Sequence, residues 1–338
     1  MGSQALPTQN PDALMHFVQG RNALNTYFGT GRADALETAK GEFVAAENFD
    51  PSFALASFYV AVADNELRDA DSAINRLEAL TRRHIEFLPQ AYLQLAYAHT
   101  KKYQEHHYFE ALRVLDEAGK QAHLRKNDGL IALVEASRVF LLSVMGGRLE
   151  QPDHLSYLEK AIELGQRLVR DRTILKLAER QQILFEVHNA LGIAFMRKGQ
   201  FQEPFSKQQS AFWVKAREHY RTALEFNPIG ARTLQNQGTL LILEGDQLHK
   251  NGKPEEARHC YAQALSTYQI SFQLNSRDQF VHYRIAELFA RLGDWDQAER
   301  FRSSGLKENG SVKPVKWDLL CRSIKMQDPS ILIQNSRG

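Results

Sequence analysis

A disulfide framework, a charge of one sign and a membrane-length apolar run are all missing from this chain. Its two cysteines, Cys260 and Cys321, cannot staple a fold of this size and match a reducing compartment. Lysine and arginine number 42 against 40 aspartates and glutamates, which argues against a protein whose main task is gripping a polyanion. The most apolar stretch, "FALASFYVAVA" at 53–63, falls well short of the ~20 residues that cross a bilayer. The opening "MGSQALPTQNPDAL" lacks the basic and apolar regions of a secretory signal. Leu6 stands where a myristoylation motif needs Ser or Thr. The expectation is a soluble, cytoplasmic protein with no membrane partner.

The signatures of catalysis are also missing. There is no Gly-rich phosphate loop, no H-E-x-x-H and no nucleophile elbow; "NGKPEE" at 251–256 lacks the glycines that precede a phosphate-loop lysine. Adjacent His259 and Cys260 would point about 100° apart on a helix, so they make no dyad. His99, His106 and His107 lie close in "HTKKYQEHHYF", but with no cysteine or carboxylate at metal spacing they read as a solvated hairpin turn. No enzyme activity, metal or cofactor is expected.

Strand signals are scarce as well. The ten prolines fall mostly between helical patterns, and no alternating run is closed by an Asn-Gly or Asp-Gly hairpin. The chain reads as all-α, and self-similarity is the next test. Ala39, Phe43 and Ala46 are followed by Pro51. The same small–large–small triplet returns at Ala73, Leu77 and Leu80, and at Ala111, Leu115 and Ala118. It returns again at Ala216, Tyr220 and Ala223 before Pro228, and at Ala264, Tyr268 and Ser271 before Ser276. Ala298 follows Ala264 by 34 residues, with Gly305 in the last small place. An upstream pattern accompanies it: Tyr92, Leu95, Ala96 and His99; His188, Leu191, Gly192 and Phe195; and in part Leu234, Gly238 and Leu241, then Ile285, Ala286 and Phe289.

These residues resemble the tetratricopeptide repeat (TPR) family, over roughly residues 20–310. The resemblance implies an α-solenoid of stacked antiparallel helical hairpins. A single hairpin cannot cover its own apolar faces, so stacking is obligatory. Two hairpins exceed the frame: Pro228 to Ser276 is 48 residues and Gly192 to Gly238 is 46, against a repeat of 34. The larger excess, 14 residues, is close to four helical turns, so both helices of a hairpin can lengthen by about two turns and keep their apolar stripes facing inward. The expected organisation is an N-terminal, partly helical segment at 1–19, hairpins at 20–124 and a degenerate hairpin at 125–175. Elongated hairpins at 176–310 and a capping helix with a frayed tail at 311–338 complete it.

In this family the first helix of each hairpin lines the concave face, where ligands commonly lie. The frame then places Asn189, Ile193, Met196 and Arg197 there, followed by Arg232, Gln235, Asn236 and Thr239. Phe280, Tyr283, Arg284, Glu287 and Arg291 come next, with Gln90, Gln94, Tyr97 and Lys101 in an earlier hairpin. Asn can satisfy a peptide backbone with a donor and an acceptor at once, and Arg can hold a carboxylate bidentately. Asn236 and Arg284 match two places of the family's clamp for C-terminal carboxylates. Ile193 and Phe280 replace an Asn and a Lys of that clamp, which puts it in doubt. The expected function is a non-enzymatic scaffold or adaptor holding a partner protein or peptide, and a peptide or nucleic-acid sensor controlling a separate effector enzyme is the alternative. Nucleic acid would use Arg197, Arg232, Arg284 and Arg291 on phosphates. The elongated hairpins are a candidate homodimer surface, which exposure of Phe205, Phe212 or Trp213 would support.

Overall fold

The computed structural model describes residues 8–30, 32–67, 69–83, 88–102, 104–147, 154–274, 278–308 and 314–334. Among them the regular structure is helical: α1 (Pro11–Thr30), α2 (Ala33–Phe49), α3 (Ala54–Glu66), α4 (Ala70–Arg83), α5 (Leu88–Lys101), α6 (Glu105–Leu124), α7 (Asp128–Met145) and α8 (His154–Arg170) come first. A 3-10 turn at Ile174–Lys176 leads to α9 (Arg180–Gln200), α10 (Lys207–Phe226), α11 (Ala231–Lys250), α12 (Pro254–Leu274), α13 (Gln279–Leu292), α14 (Trp295–Glu308), α15 (Pro314–Met326) and α16 (Ser330–Gln334). The chain divides into two compact units, residues 1–197 and 198–338. No described helix is long and apolar enough to cross a membrane.

Within each unit, helices pack chiefly on their neighbours in chain order, as in α1–α2, α5–α6, α11–α12 and α13–α14. Short sequence separation between packed partners is the mark of an α-solenoid. The repeated triplets are what holds the hairpins together. Ala39, Phe43, Ala46, Ala111, Leu115, Ala118, Tyr220, Ala264, Tyr268 and Ser271 are all fully or almost fully buried. The small upstream residue does what its place requires: a methyl group on Gly238 would lie 2.5 Å from the Tyr268 ring, so only glycine lets α11 and α12 approach this closely. Gly245 meets Tyr261 in the same way about two helical turns later.

The two-turn lengthening is visible in the helices themselves. α11 and α12 have 20 and 21 residues, while α13 and α14 have 14 each. Gly252, at φ +73°, makes the turn between the long pair, and Pro254 opens α12, where a missing N–H costs nothing. In the region of weakest repeat, α7 and α8 form an antiparallel pair, with Asn127 capping α7 through the Leu130 N–H. Asp153, the expected cap of α8, lies outside the described residues.

The C-terminus corrects an expectation. "DPSILIQNSRG" reads as a frayed tail, yet Leu332 and Ile333 are buried. Leu332 joins Trp317, Leu320, Ala286 and Ala298 in one core, and the Ser323 hydroxyl donates to the Asp328 carbonyl to hold the turn. The apolar pair in a short polar segment outweighs its end position, because the last core face needs a cover. Trp317 and Leu320 pack inward as expected, with Trp317 edge-on to Tyr283 at 5.3 Å.

Candidate functional site

Asn189 and Arg197 belong to the first unit. Asn189 is buried, as are Ile193 and Met196; Arg197 is half-buried, with its side chain close over the bare backbone of Gly147. In the earlier hairpin, Gln90 is exposed, Gln94 accepts from the Asn65 amide at 3.0 Å, and Lys101 covers the Tyr97 ring at 4.1 Å. Lys101 also donates to the Asn65 carbonyl.

The second unit gathers more. α11 and α13 are tied together through α12 and the α13 cap. Gln235 Nε2 donates at 3.1 Å to both Ser271 Oγ and Asp278 Oδ2. Asp278 in turn caps α13 through the Phe280 N–H. The Tyr268 hydroxyl donates to the Gln235 carbonyl at 2.9 Å and lies 2.8 Å from Thr239 Oγ1. Burial pushes the Tyr268 phenol up to about 12, so it stays a neutral donor. Asn236 is half-buried and Arg232 is exposed.

The charged members of the frame form a closed network rather than an open groove. Arg291, whose side chain is 1% exposed, reaches Asp246 with Nε at 2.9 Å and Nη2 at 3.1 Å, and reaches Glu287 with Nη1 at 2.9 Å. Arg284 Nη1 pairs with Glu287 Oε2 at 2.7 Å. The Tyr261 hydroxyl donates to Asp246 at 2.8 Å. Burial alone would raise Glu287, but Arg291 and Arg284 outweigh it and hold its carboxyl at about 2. The same carboxylates raise both guanidiniums against the effect of burial. Two cations and two anions thus cancel.

This revises the expected groove at several positions. Tyr283, Glu287 and Arg291, like Asn189, are buried in the free chain; they support the face instead of presenting it. Asp246 escapes the repeat frame, although Gln235, Thr239, Ile242 and Asp246 follow one helical stripe that counting can find. Arg284 is the intermediate case. Its guanidinium lies 5.1 Å from the Phe280 ring centre and 5.8 Å from that of Tyr283, and its buried Nε has no hydrogen-bond partner among the described residues.

At the hairpin tip, Trp213 is buried against Gly199, and Phe212 is half-buried with Lys198 5.4 Å from its ring. Phe205 alone of the three expected aromatics is exposed, at 49%. Among the described residues no group of three or more His, Cys, Asp or Glu is placed to hold a metal ion.

No family model matches the chain, and no curated protein matches it. Among solved structures, it is similar to the TPR2AB-domain:pHSP90 complex of yeast Sti1, at 16% identity over 81% of this chain and 99% of that one, with a TM-score of 0.28. It is also similar to a monomeric mutant of IFIT1 with Gppp-AAAA, at 14% identity over 97% of this chain and 80% of that one, with a TM-score of 0.40. Superpositions this loose say nothing about a ligand. The solenoid assignment rests on the helix pairs described above.

Proposed function

We propose that this chain is a non-enzymatic interaction scaffold that holds an extended segment of a partner protein against α11 and α13 of the second unit. The observation that carries the reading is Arg284, a nearly sealed cation on two aromatic rings with a spare N–H. An unmade hydrogen bond on a buried donor costs about 1–3 kcal/mol, and a small shift of the side chain, which is 15% exposed, would bring that N–H to an acceptor on a docked segment. Half-buried Asn236 and exposed Arg232 lie on α11, residue types whose amide and guanidinium groups suit a peptide backbone. Neutralisation of Arg284 and Arg291 by Glu287 and Asp246 weighs against nucleic acid, since it takes two of the four candidate arginines away from phosphates.

The test is capture of partners from a native lysate by the intact chain and by an Arg232→Glu, Asn236→Ala double variant, with and without nuclease. Arg284 is a poor first target, because replacing it leaves buried Glu287 with one fewer cation. A protein lost in the variant and indifferent to nuclease is the expected result. Undiminished capture by the variant removes this face from consideration, and loss on nuclease treatment alone transfers the reading to nucleic acid.

A further inference from the structure

The turn between α5 and α6, in the first unit, is built differently from the solvated turn its sequence suggests. His99 is only 5% exposed. Its Nδ1 lies 2.8 Å from Nδ1 of half-buried His107, and the exposed His106 ring lies tilted by 35° beside His107 with centres 4.2 Å apart. Two imidazole nitrogens facing at that distance share one proton, so one donates and the other offers a lone pair. Burial, then the neighbouring His107, lowers His99 to about 4; burial, then His106, lowers His107. The charged groups around the pair are Glu110 and Arg113 on α6, Lys102 at the end of α5 and Asp71 on α4, whose carboxylate is taken by Lys102 at 2.7 Å.

The separation lets one ion reach both nitrogens. Nitrogens bound to one ion at about 2.0–2.1 Å stand about 3.3 Å apart in a tetrahedron and about 2.9 Å apart at a right angle. The observed 2.8 Å is that of the N–H···N hydrogen bond, and it lies near the right-angle value of the tetragonal arrangement that Cu(II) and Ni(II) adopt. We propose that His99 and His107 form an open, two-imidazole site for Cu²⁺ or Ni²⁺, with solvent in the remaining positions. Binding moves the shared Nδ1 proton to Nε2 of the same ring, so that both rings bind as neutral imidazoles, and it changes no oxidation state. Each lone pair has to turn roughly 45° off the line between the nitrogens to meet the ion. With no third protein ligand in place among the described residues, affinity is modest and the open positions stay exchangeable.

The experiment is titration of the full chain with CuCl₂ at pH 7.5, read by electron paramagnetic resonance and calorimetry, with His107→Gln, His99→Gln and the distant His259→Gln as variants. One equivalent should give a tetragonal signal split by two imidazole nitrogens. Affinity should fall at least about tenfold in His107→Gln and stay unchanged in His259→Gln. His107 is half-buried and its variant keeps the buried His99, so unchanged circular dichroism is expected there even if His99→Gln fails to fold. Wild-type affinity in His107→Gln, or a signal from a number of nitrogens other than two, overturns the site.

Discussion

Asp64 and Asp246 stand near the ends of α3 and α11, one in each unit, and both are sealed from water. They are compensated in opposite ways. Asp64 is met by Lys40 at 2.6 Å and by Arg76 Nε at 3.7 Å, cations that are 35% and 34% exposed; Arg76 also grips Glu47 at 2.8 Å. Asp246 is met by Arg291, which has no contact with solvent to speak of, and by the Tyr261 hydroxyl. One repeat frame thus tolerates a buried acid with its cations left at the surface, or with the whole pair interred. The second is worth less than its hydrogen bonds suggest, because desolvation opposes it, but it is costly to break.

The sharpest test of that contrast is to remove the cation from each. Arg291→Met leaves Asp246 buried without a charge partner and should cost about 3–5 kcal/mol. Arg76→Met leaves Lys40 on Asp64 and gives up partly exposed pairs, so about 1 kcal/mol is expected. Urea unfolding of both variants measures the difference. Equal costs would mean that water reaches Asp246 and that the two acids are alike. Adding Asp246→Leu to Arg291→Met should recover only part of the loss, since it removes the orphaned acid but leaves the Tyr261 hydroxyl without its acceptor and Glu287 with Arg284 alone.

The close approach in the second unit is the next largest effect. Gly238→Ala puts a methyl against the Tyr268 ring, and overpacking of this kind costs about 1–3 kcal/mol. A loss well below 1 kcal/mol would show that α11 and α12 can separate without disturbing the Tyr268–Gln235–Thr239 hydrogen bonds.

The frame that exposes Gly238 to this reasoning was legible in the residues, and the site largely was not. Small–large–small triplets report helix packing directly, because volume at a fixed spacing is what hairpin stacking selects. Pairing partners carry no such period. The i,i+4 spacing of Glu287 and Arg291 puts them on one face of the helix but does not tell whether that face is buried, and Arg291's other partner, Asp246, lies 45 residues before it. His99 and His107 escaped for the same reason, since a turn brings them together across eight residues.

The units should also respond oppositely to pH. Glu287 has its pKa depressed to about 2 by its arginines against burial, so its stabilisation is present above the unfolded value near 4.5 and is lost as pH falls toward 2. Glu186, half-buried on α9, has its pKa raised to about 7 by burial and then by Glu66. The folded chain holds that proton more tightly, so stability declines as pH rises from about 4.5 to 7. Glu186→Gln should therefore raise the melting temperature at pH 8 and change it little at pH 4.5, while Glu287→Gln flattens the acid limb. A Glu186→Gln melting curve parallel to wild type across this range would show the carboxylate to be hydrated.

The smallest effect inverts the glycine result. Gly119 lies inside α6, and a methyl there would meet Val134 at 3.8 Å, ordinary van der Waals distance. A mid-helix glycine costs about 0.5–1 kcal/mol relative to alanine, so Gly119→Ala should stabilise the first unit by that amount, where Gly238→Ala destabilises the second. Thermal unfolding of the two variants side by side separates backbone entropy from packing. If Gly119→Ala destabilises as well, α6 and α7 are as tightly apposed as α11 and α12, and the two units share a packing rule that their buried aspartates do not.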